Sequence, residues 1–502
     1  MKTKHIQTLL GGVFLSLCFT ACYKDQGNYD YHAINQVDSI TNINNEYAVL
    51  YGDTLRITPQ LFATEESVDT SRYTYRWEAA VVNTARLPQE DPLVVIGKSR
   101  NLALPLKLRP APYDCYYGVK DKQTGVEWFK RFKLVVQSAV YQGWVALCDV
   151  KGETRLDMVS RLGNEDRLIK DVLAFTNAGM PVRHQPKRLT FAYRSGNNNQ
   201  LYLLSGEGLE RIDGESFTWK NTYNIRYEIM APVGTDFKPD YFHNQQPATG
   251  VDYIIADNRV FHRNMTMGAS AFGTPINYVN EEKTPFKAAP FVACGYYSAL
   301  LYDQDKQRFV AHDPMFGTNC SSLVEGTAFS YNTGKDMVYM SYTNYNTGDV
   351  YAILKDKAGK FYTYVINIAS GIKQVFSMEM INAPELDKAT VFAVSNQLGY
   401  VLYAAGGRIY EYDPFVKKAF LMADLGGEKI SVLKCPLFSS YGKDFYINLS
   451  NSLIVGSYDP AKPDTENGTI RIYSIPARNE QMQLTAIHTG LGKIVDLVYR
   501  ER

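Results

Sequence analysis

The sequence predicts an all-β protein in two parts, a small antiparallel sandwich followed by a ring of repeated four-stranded sheets. Three observations carry this expectation. Short alternating strands bounded by turn residues fill residues 34–138. From Gln142 onward, a unit of apolar strand, acidic turn and aromatic-led strand recurs along the chain. Helical periodicity is nearly absent, the one short candidate lying at 166–175.

The N-terminus comes first. Lys2, Lys4 and His5 precede an apolar run over 9–19. That run has the length of a secretory h-region and is short of the roughly 20 apolar residues a spanning helix requires. It ends in Thr20-Ala21-Cys22, small residues directly before a cysteine, and so resembles a bacterial lipobox. Phe19 departs from the aliphatic residue usual at that position. The resemblance implies a signal peptide over 1–21 and Cys22 as the lipidated first residue of the mature chain. Tyr23, Lys24 and Asp25 place an acid close behind it. This is similar to the export tag that carries Bacteroidetes lipoproteins to the outer face of the outer membrane. Residues 22–33 then read as a lipidated tether. Each buried acyl CH₂ contributes about 0.8 kcal/mol, so a multiply acylated cysteine holds a protein stably on a membrane without spanning it.

The sandwich is expected over 34–138. Gly52-Asp53-Thr54-Leu55 is a turn feeding an alternating strand, and Tyr73-Thr74-Tyr75-Arg76-Trp77-Glu78 alternates again with Trp77 inward. A strand over 113–119, the turn Asp121-Lys122-Gln123-Thr124-Gly125 and a strand over 128–136 complete it. Short alternating strands with one tryptophan on an early-middle strand fit an immunoglobulin-like sandwich. Trp77 is read as a core residue.

The second part is expected over 142–502. Asp213, Asp257, Asp303, Asp356, Asp413 and Asp459 each close an apolar run, at intervals of 44, 46, 53, 57 and 46 residues. Asp149, after Trp144-Val145-Ala146-Leu147, adds a seventh. The spacing is close to the roughly 40–50 residues of a propeller blade, so a seven-bladed β-propeller is expected. Residues 493–499 form a last strand, and 143–147 is its natural partner for closing the ring, since propellers leave only short, protected edges.

Composition narrows the function. Of 502 residues, 53 are basic and 52 acidic, a formal net charge of +1, which favours neither nucleic acid nor an anionic surface. The aromatic share is 13%, with 37 tyrosines, which suits strands and surfaces that hold sugars or peptides by stacking. Cys115, Cys148, Cys294, Cys320 and Cys435 are scattered without a C-x-x-C pair, so neither zinc nor a redox dithiol is expected. No H-E-x-x-H, G-x-S-x-G or phosphate-loop motif occurs, and no cofactor is expected. His243, His262 and His312 fall in candidate blade loops, where they either converge or line the rim separately. Tyr342, Asn344 and Tyr345, in a polar loop between strands, are candidate ligand contacts. Stacking and amide hydrogen bonds suit a sugar or a peptide backbone. Trp219 and the run Tyr241-Phe242-His243 are further candidates.

Cys22 with Tyr23-Lys24-Asp25, Gly27-Asn28-Tyr29-Asp30-Tyr31 behind it, and the sandwich with its G-D-x-L start and D-x-x-T-G turn together resemble the PKD-like family lipoproteins of Bacteroidetes. The resemblance implies a surface lipoprotein accessory to a SusC/SusD-type TonB-dependent importer, with a SusC-like transporter and a SusD-like lipoprotein as partners. Its cargo would be oligopeptides or glycans. It supplies no catalytic residues. The alternatives are a surface glycan-active enzyme or peptidase built on the propeller, and an adhesive or structural surface protein.

Overall fold

The computed structural model describes residues 36–502 apart from 52, 65–70, 83–90, 139, 164, 195–197, 246–249, 281, 283 and 440–442. Cys22, Tyr23, Lys24 and Asp25 therefore lie outside the described residues. Among the described residues no helix is long and apolar enough to cross a membrane.

Strands within 37–137 pair only with one another. Five of them form one sheet, in the order Glu46–Leu50, Glu127–Gln137, Ala111–Asp121, Tyr73–Val81, Val94–Gly97. The first of these runs parallel to its neighbour, and the rest are antiparallel. Two strand pairs, Val37–Thr41 with Gln60–Ala63 and Thr54–Ile57 with Leu102–Pro105, supply Leu55, Ile57, Leu61 and Leu102 to the same core. Trp77 is fully buried there, as expected. Its ring lies 4.2 Å from that of Tyr117, and its indole N–H donates to the Ser99 carbonyl at 2.8 Å. The D-x-x-T-G turn has a physical cause. Asp121 accepts from the amides of Gln123 and Thr124 and pairs with Arg72 at 2.8 Å, while Gly125 takes a φ of +75°.

The strands after residue 142 fall into seven antiparallel sheets among the described residues. Each apolar cluster there is shared by two neighbouring sheets. Leu147 and Leu156 of the first meet Leu189 and Phe191 of the second, and so on along the chain. Val432 and Ile470 of the seventh then meet Ile494 and Leu497, which belong to the first. The series thus closes on itself. The closing strand, Lys493–Arg500, pairs antiparallel with Gln142–Val150, Gly143 opposite Arg500 and Leu147 opposite Asp496. This is the partner strand expected from the sequence. Because each sheet is covered on both faces, its second strand reads as an unbroken apolar run, as in Val350-Tyr351-Ala352-Ile353-Leu354, all buried.

The repeated aspartates are turn devices. The carboxylate of Asp149, Asp213, Asp303, Asp356, Asp413 or Asp459 accepts from a backbone amide two or three residues on, at 2.7–3.2 Å. Such Asx turns set the hairpin tip. The hairpin that carries them differs between sheets. Asp213 and Asp413 end the third strand of their sheets in sequence, whereas Asp303 ends the second and Asp257, Asp356 and Asp459 follow the second. The helical candidate at 166–175 resolves into the strand Glu165–Ile169 and a one-turn helix, Val172–Phe175, capped by Asp171.

One buried acid stands apart. Glu411, on the strand Arg408–Asp413, has no exposed surface, and neither carboxyl oxygen has a hydrogen-bond partner among the described residues. Its register partners Leu402 and Phe420 belong to the cluster between the sixth and seventh sheets. Burial, reinforced by the Asp413 charge, pushes its carboxyl up to about 8. An acid raised in the native state holds its proton while the unfolded chain ionises, so stability falls as pH rises from the ordinary glutamate range toward 8. Glu411→Gln is expected to remove that slope and to gain on the order of 2 kcal/mol over the parent at pH 8. Thermal melts of both proteins from acid to mildly alkaline pH check this, and parallel curves would contradict it.

Candidate functional site

Six of the seven sheets, or segments beside them, contribute residues to a cavity of about 280 Å³. Arg188 and Leu189 enter it from the second sheet, Tyr241 and His243 from the third, and Tyr339 and Tyr342 from the fifth. Phe291 precedes the fourth sheet, Lys434 ends the first strand of the seventh, and Trp144 and Leu497 belong to the first. Aromatic contacts run around this wall. The Arg188 guanidinium lies 4.4 Å above the Tyr241 ring, Tyr241 is 6.3 Å from Phe291, Phe291 is 6.0 Å from Tyr339, and Tyr339 stacks on Phe392 at 5.9 Å.

Asp496 ties three sheets together beside the cavity. It pairs with the Lys434 ammonium at 2.6 Å, and its other oxygen accepts from the Leu189 amide at 2.9 Å. Burial holds the Lys434 ammonium below its ordinary range, with Asp496 opposing that shift and the Arg188 charge adding to it. Glu501, also on the cavity wall and buried, accepts from the Ser439 amide. Burial also pushes the Tyr339 phenol up to about 12.

His243, His262 and His312 do converge, around Tyr253. Their ring centroids stand 6.4, 5.0 and 5.6 Å from its own, and His262 and His312 are 4.7 Å apart. The Tyr253 hydroxyl and His312 Nδ1 share a hydrogen bond of 2.9 Å. Burial holds His243 and His312 down to about 3 and His262 to about 4, so all three are neutral at pH 7. Among the described residues, no three His, Cys, Asp or Glu side chains are placed to hold a metal. All five cysteines of the described chain are free, four of them buried.

The expected contacts divide between two places. Tyr342 and His243 line the central cavity, and the buried Nε2 atom of His243 has no hydrogen-bond partner among the described residues. Asn344 and Tyr345 line a second groove with Asn346, Asn396, Gln397 and Asn451, an amide-rich lip on the loops that follow the first strands of the last three sheets. Trp219 lines neither. Its indole N–H donates to Glu210 at 3.0 Å, with the Arg183 guanidinium 5.7 Å above the ring. Tyr241, offered with His243, also lines the cavity, whereas Arg188, Phe291 and Tyr339 were not singled out by sequence. The one available signal was a charge, Arg188, opening an otherwise apolar inner strand.

Among solved structures, the chain is similar to a quinonprotein alcohol dehydrogenase-like protein from Bacteroides thetaiotaomicron. The identity is 14% over 93% of this chain and 99% of that one, with a TM-score of 0.43. It is also similar to a DUF4784 family protein from Bacteroides caccae, at 10% identity over 92% and 99% of the two chains and a TM-score of 0.31. A third similarity is to AztD of Citrobacter koseri, at 10% identity over 71% and 98% and a TM-score of 0.36. No curated protein matches the chain. Residues 22–186, which take in the sandwich and the first strands beyond it, match the family model described as the PKD-like family.

Proposed function

We propose that this chain is a non-enzymatic outer-membrane lipoprotein, anchored through Cys22 and carried to the cell surface by Tyr23-Lys24-Asp25. It serves as an accessory to a SusC/SusD-type TonB-dependent importer. The seven sheets are the blades of a seven-bladed β-propeller, which captures or presents oligopeptides or glycans, and the sandwich is its spacer. The observation that carries the binding role is the central cavity, where inner strands of successive sheets bring aromatic rings, a guanidinium and an ammonium to one place. Concave, largely aromatic sites with a few convergent polar groups are where small ligands and chain ends bind. The lipobox-like segment supports the anchor.

Co-purification of the epitope-tagged protein from detergent-solubilised outer membranes tests this reading. Recovery of a barrel transporter and its lid lipoprotein is the expected result. Cys22→Ser is expected to shift the protein out of the membrane fraction. Recovery of the protein alone would contradict the partnership and favour the surface enzyme or the adhesin.

A further inference from the structure

Arg188 is the unused charge in the central cavity. Its guanidinium makes no hydrogen bond or ion pair with any described residue, and its one specific contact is the Tyr241 ring, 4.4 Å away. The nearby carboxylates are already engaged. Asp496 is held by Lys434 and by the Leu189 amide, and Glu501 accepts from the Ser439 amide. A guanidinium resting on an aromatic face keeps its N–H edge free, and that edge matches the two oxygens of a carboxylate. The neighbouring wall, Phe291 and Tyr339, is aromatic.

We infer that this cavity binds a carboxylate carried on an apolar body, with Arg188 holding the carboxylate and Tyr241, Phe291 and Tyr339 holding the body. The cavity, at about 280 Å³, lies at the small end of ligand sites, so it takes a small acid or a chain end and not the length of a polymer. The Lys434 ammonium on the same wall is matched by Asp496, which leaves Arg188 as the cation without a partner among the described residues. This inference rests on the reading of the protein as a ligand-capturing module and names the class of group it captures.

The test is calorimetric titration of the full chain with hydrocinnamate, its neutral amide hydrocinnamide, and galacturonate, with melting temperatures recorded alongside. Hydrocinnamate is expected to bind and raise the melting temperature, and the amide to do neither. Galacturonate, a carboxylate without an apolar body, is expected to bind more weakly. Arg188→Gln is expected to weaken hydrocinnamate about 10- to 100-fold, the usual loss for a charge-assisted hydrogen bond, and Arg188→Lys to recover part of it. The ligand-free melting temperature of Arg188→Gln is expected to stay close to that of the parent. A large drop there would make Arg188 a structural residue and overturn the assignment. Equal binding of acid and amide, or no binding of either acid, would overturn it as well. Tighter binding of galacturonate would overturn the apolar half. Co-purification with a transporter reads a different property, so either result can fail while the other stands.

Discussion

Asp252→Ala is expected to destabilise the protein by about 3–5 kcal/mol, seen as a lower urea midpoint. Asp252 sits in the middle strand of the third sheet, Val251–Ala256, with no exposed surface. Its carboxylate accepts from Arg194 at 2.7 and 2.8 Å, from Arg263 at 2.8 Å and from the Asn244 side chain at 2.8 Å. Burial alone would raise its pKa, but the Arg194 and Arg263 charges outweigh burial and hold it below the usual carboxylate range. Arg263 reaches on to Glu228 and to the Tyr202 hydroxyl, both at 2.6 Å.

Removing the carboxylate leaves two buried guanidiniums facing each other without their shared counter-charge. Breaking one partner of a buried ionic cluster costs far more than the cluster contributes relative to apolar packing. Replacing Asp252, Arg194 and Arg263 together with apolar residues of similar size is therefore expected to recover most of the loss. A midpoint change equivalent to less than about 1 kcal/mol for Asp252→Ala would show that water enters and solvates the arginines.

How much of this was legible in the sequence depends on the range of the interaction. Trp77 declared itself through strand alternation, which is local, and the aspartates through turn chemistry acting over two or three residues. The closing strand was legible because a clean apolar alternation stood at the end of the chain with an obvious partner at 143–147. The Arg194–Asp252–Arg263 cluster was not, because its members lie 58 and 11 residues apart and no pattern marks their meeting. Glu411 reads in sequence as a surface position between tyrosines, and only the second covered face of its sheet buries it. Among the site residues, Tyr342 and His243 were picked for their ring chemistry, but they stand on the strands Asp336–Tyr342 and Tyr241–Asn244 and not in the loops expected for them. Arg188 was missed because nothing local in Arg188–Ala192 separates a strand-opening arginine on the surface from one that lines a cavity shared by several sheets.

The same contrast between local pattern and distant contact governs the C-terminal strand. Deleting residues 493–502 is expected to abolish cooperative folding of the seven-sheet region, read as loss of a single thermal transition and of protection from protease. The deletion removes the edge strand that pairs with Gln142–Val150 and strips Ile494, Leu497 and Tyr499 from the cluster that joins the seventh sheet to the first. It also removes Asp496, the acid that joins Lys434 to the Leu189 amide. Arg500 goes with it. That guanidinium is almost fully buried and donates to the carbonyls of Val140, Gly214 and Glu215 at 2.7, 2.6 and 2.9 Å. Burial, with Arg502 nearby, pulls its pKa down to about 9, a sign of how far the end of the strand is taken out of water. A sheet that loses its terminal strand exposes an unpaired edge and the apolar faces beneath it, so aggregation is expected to accompany unfolding. Two point variants grade the effect. Arg500→Met leaves three carbonyls without donors and is expected to cost about 2–3 kcal/mol. Gly143→Ala attacks the partner strand, because Gly143 takes a φ of +144° and an added Cβ would stand 2.0 Å from the Val159 carbonyl oxygen. If the truncated chain still melts in one sharp transition near the parent temperature, closure by this strand is not what makes the region cooperative. The shared clusters between successive sheets would then suffice, as in an open repeat array whose stability is a sum of neighbour contacts.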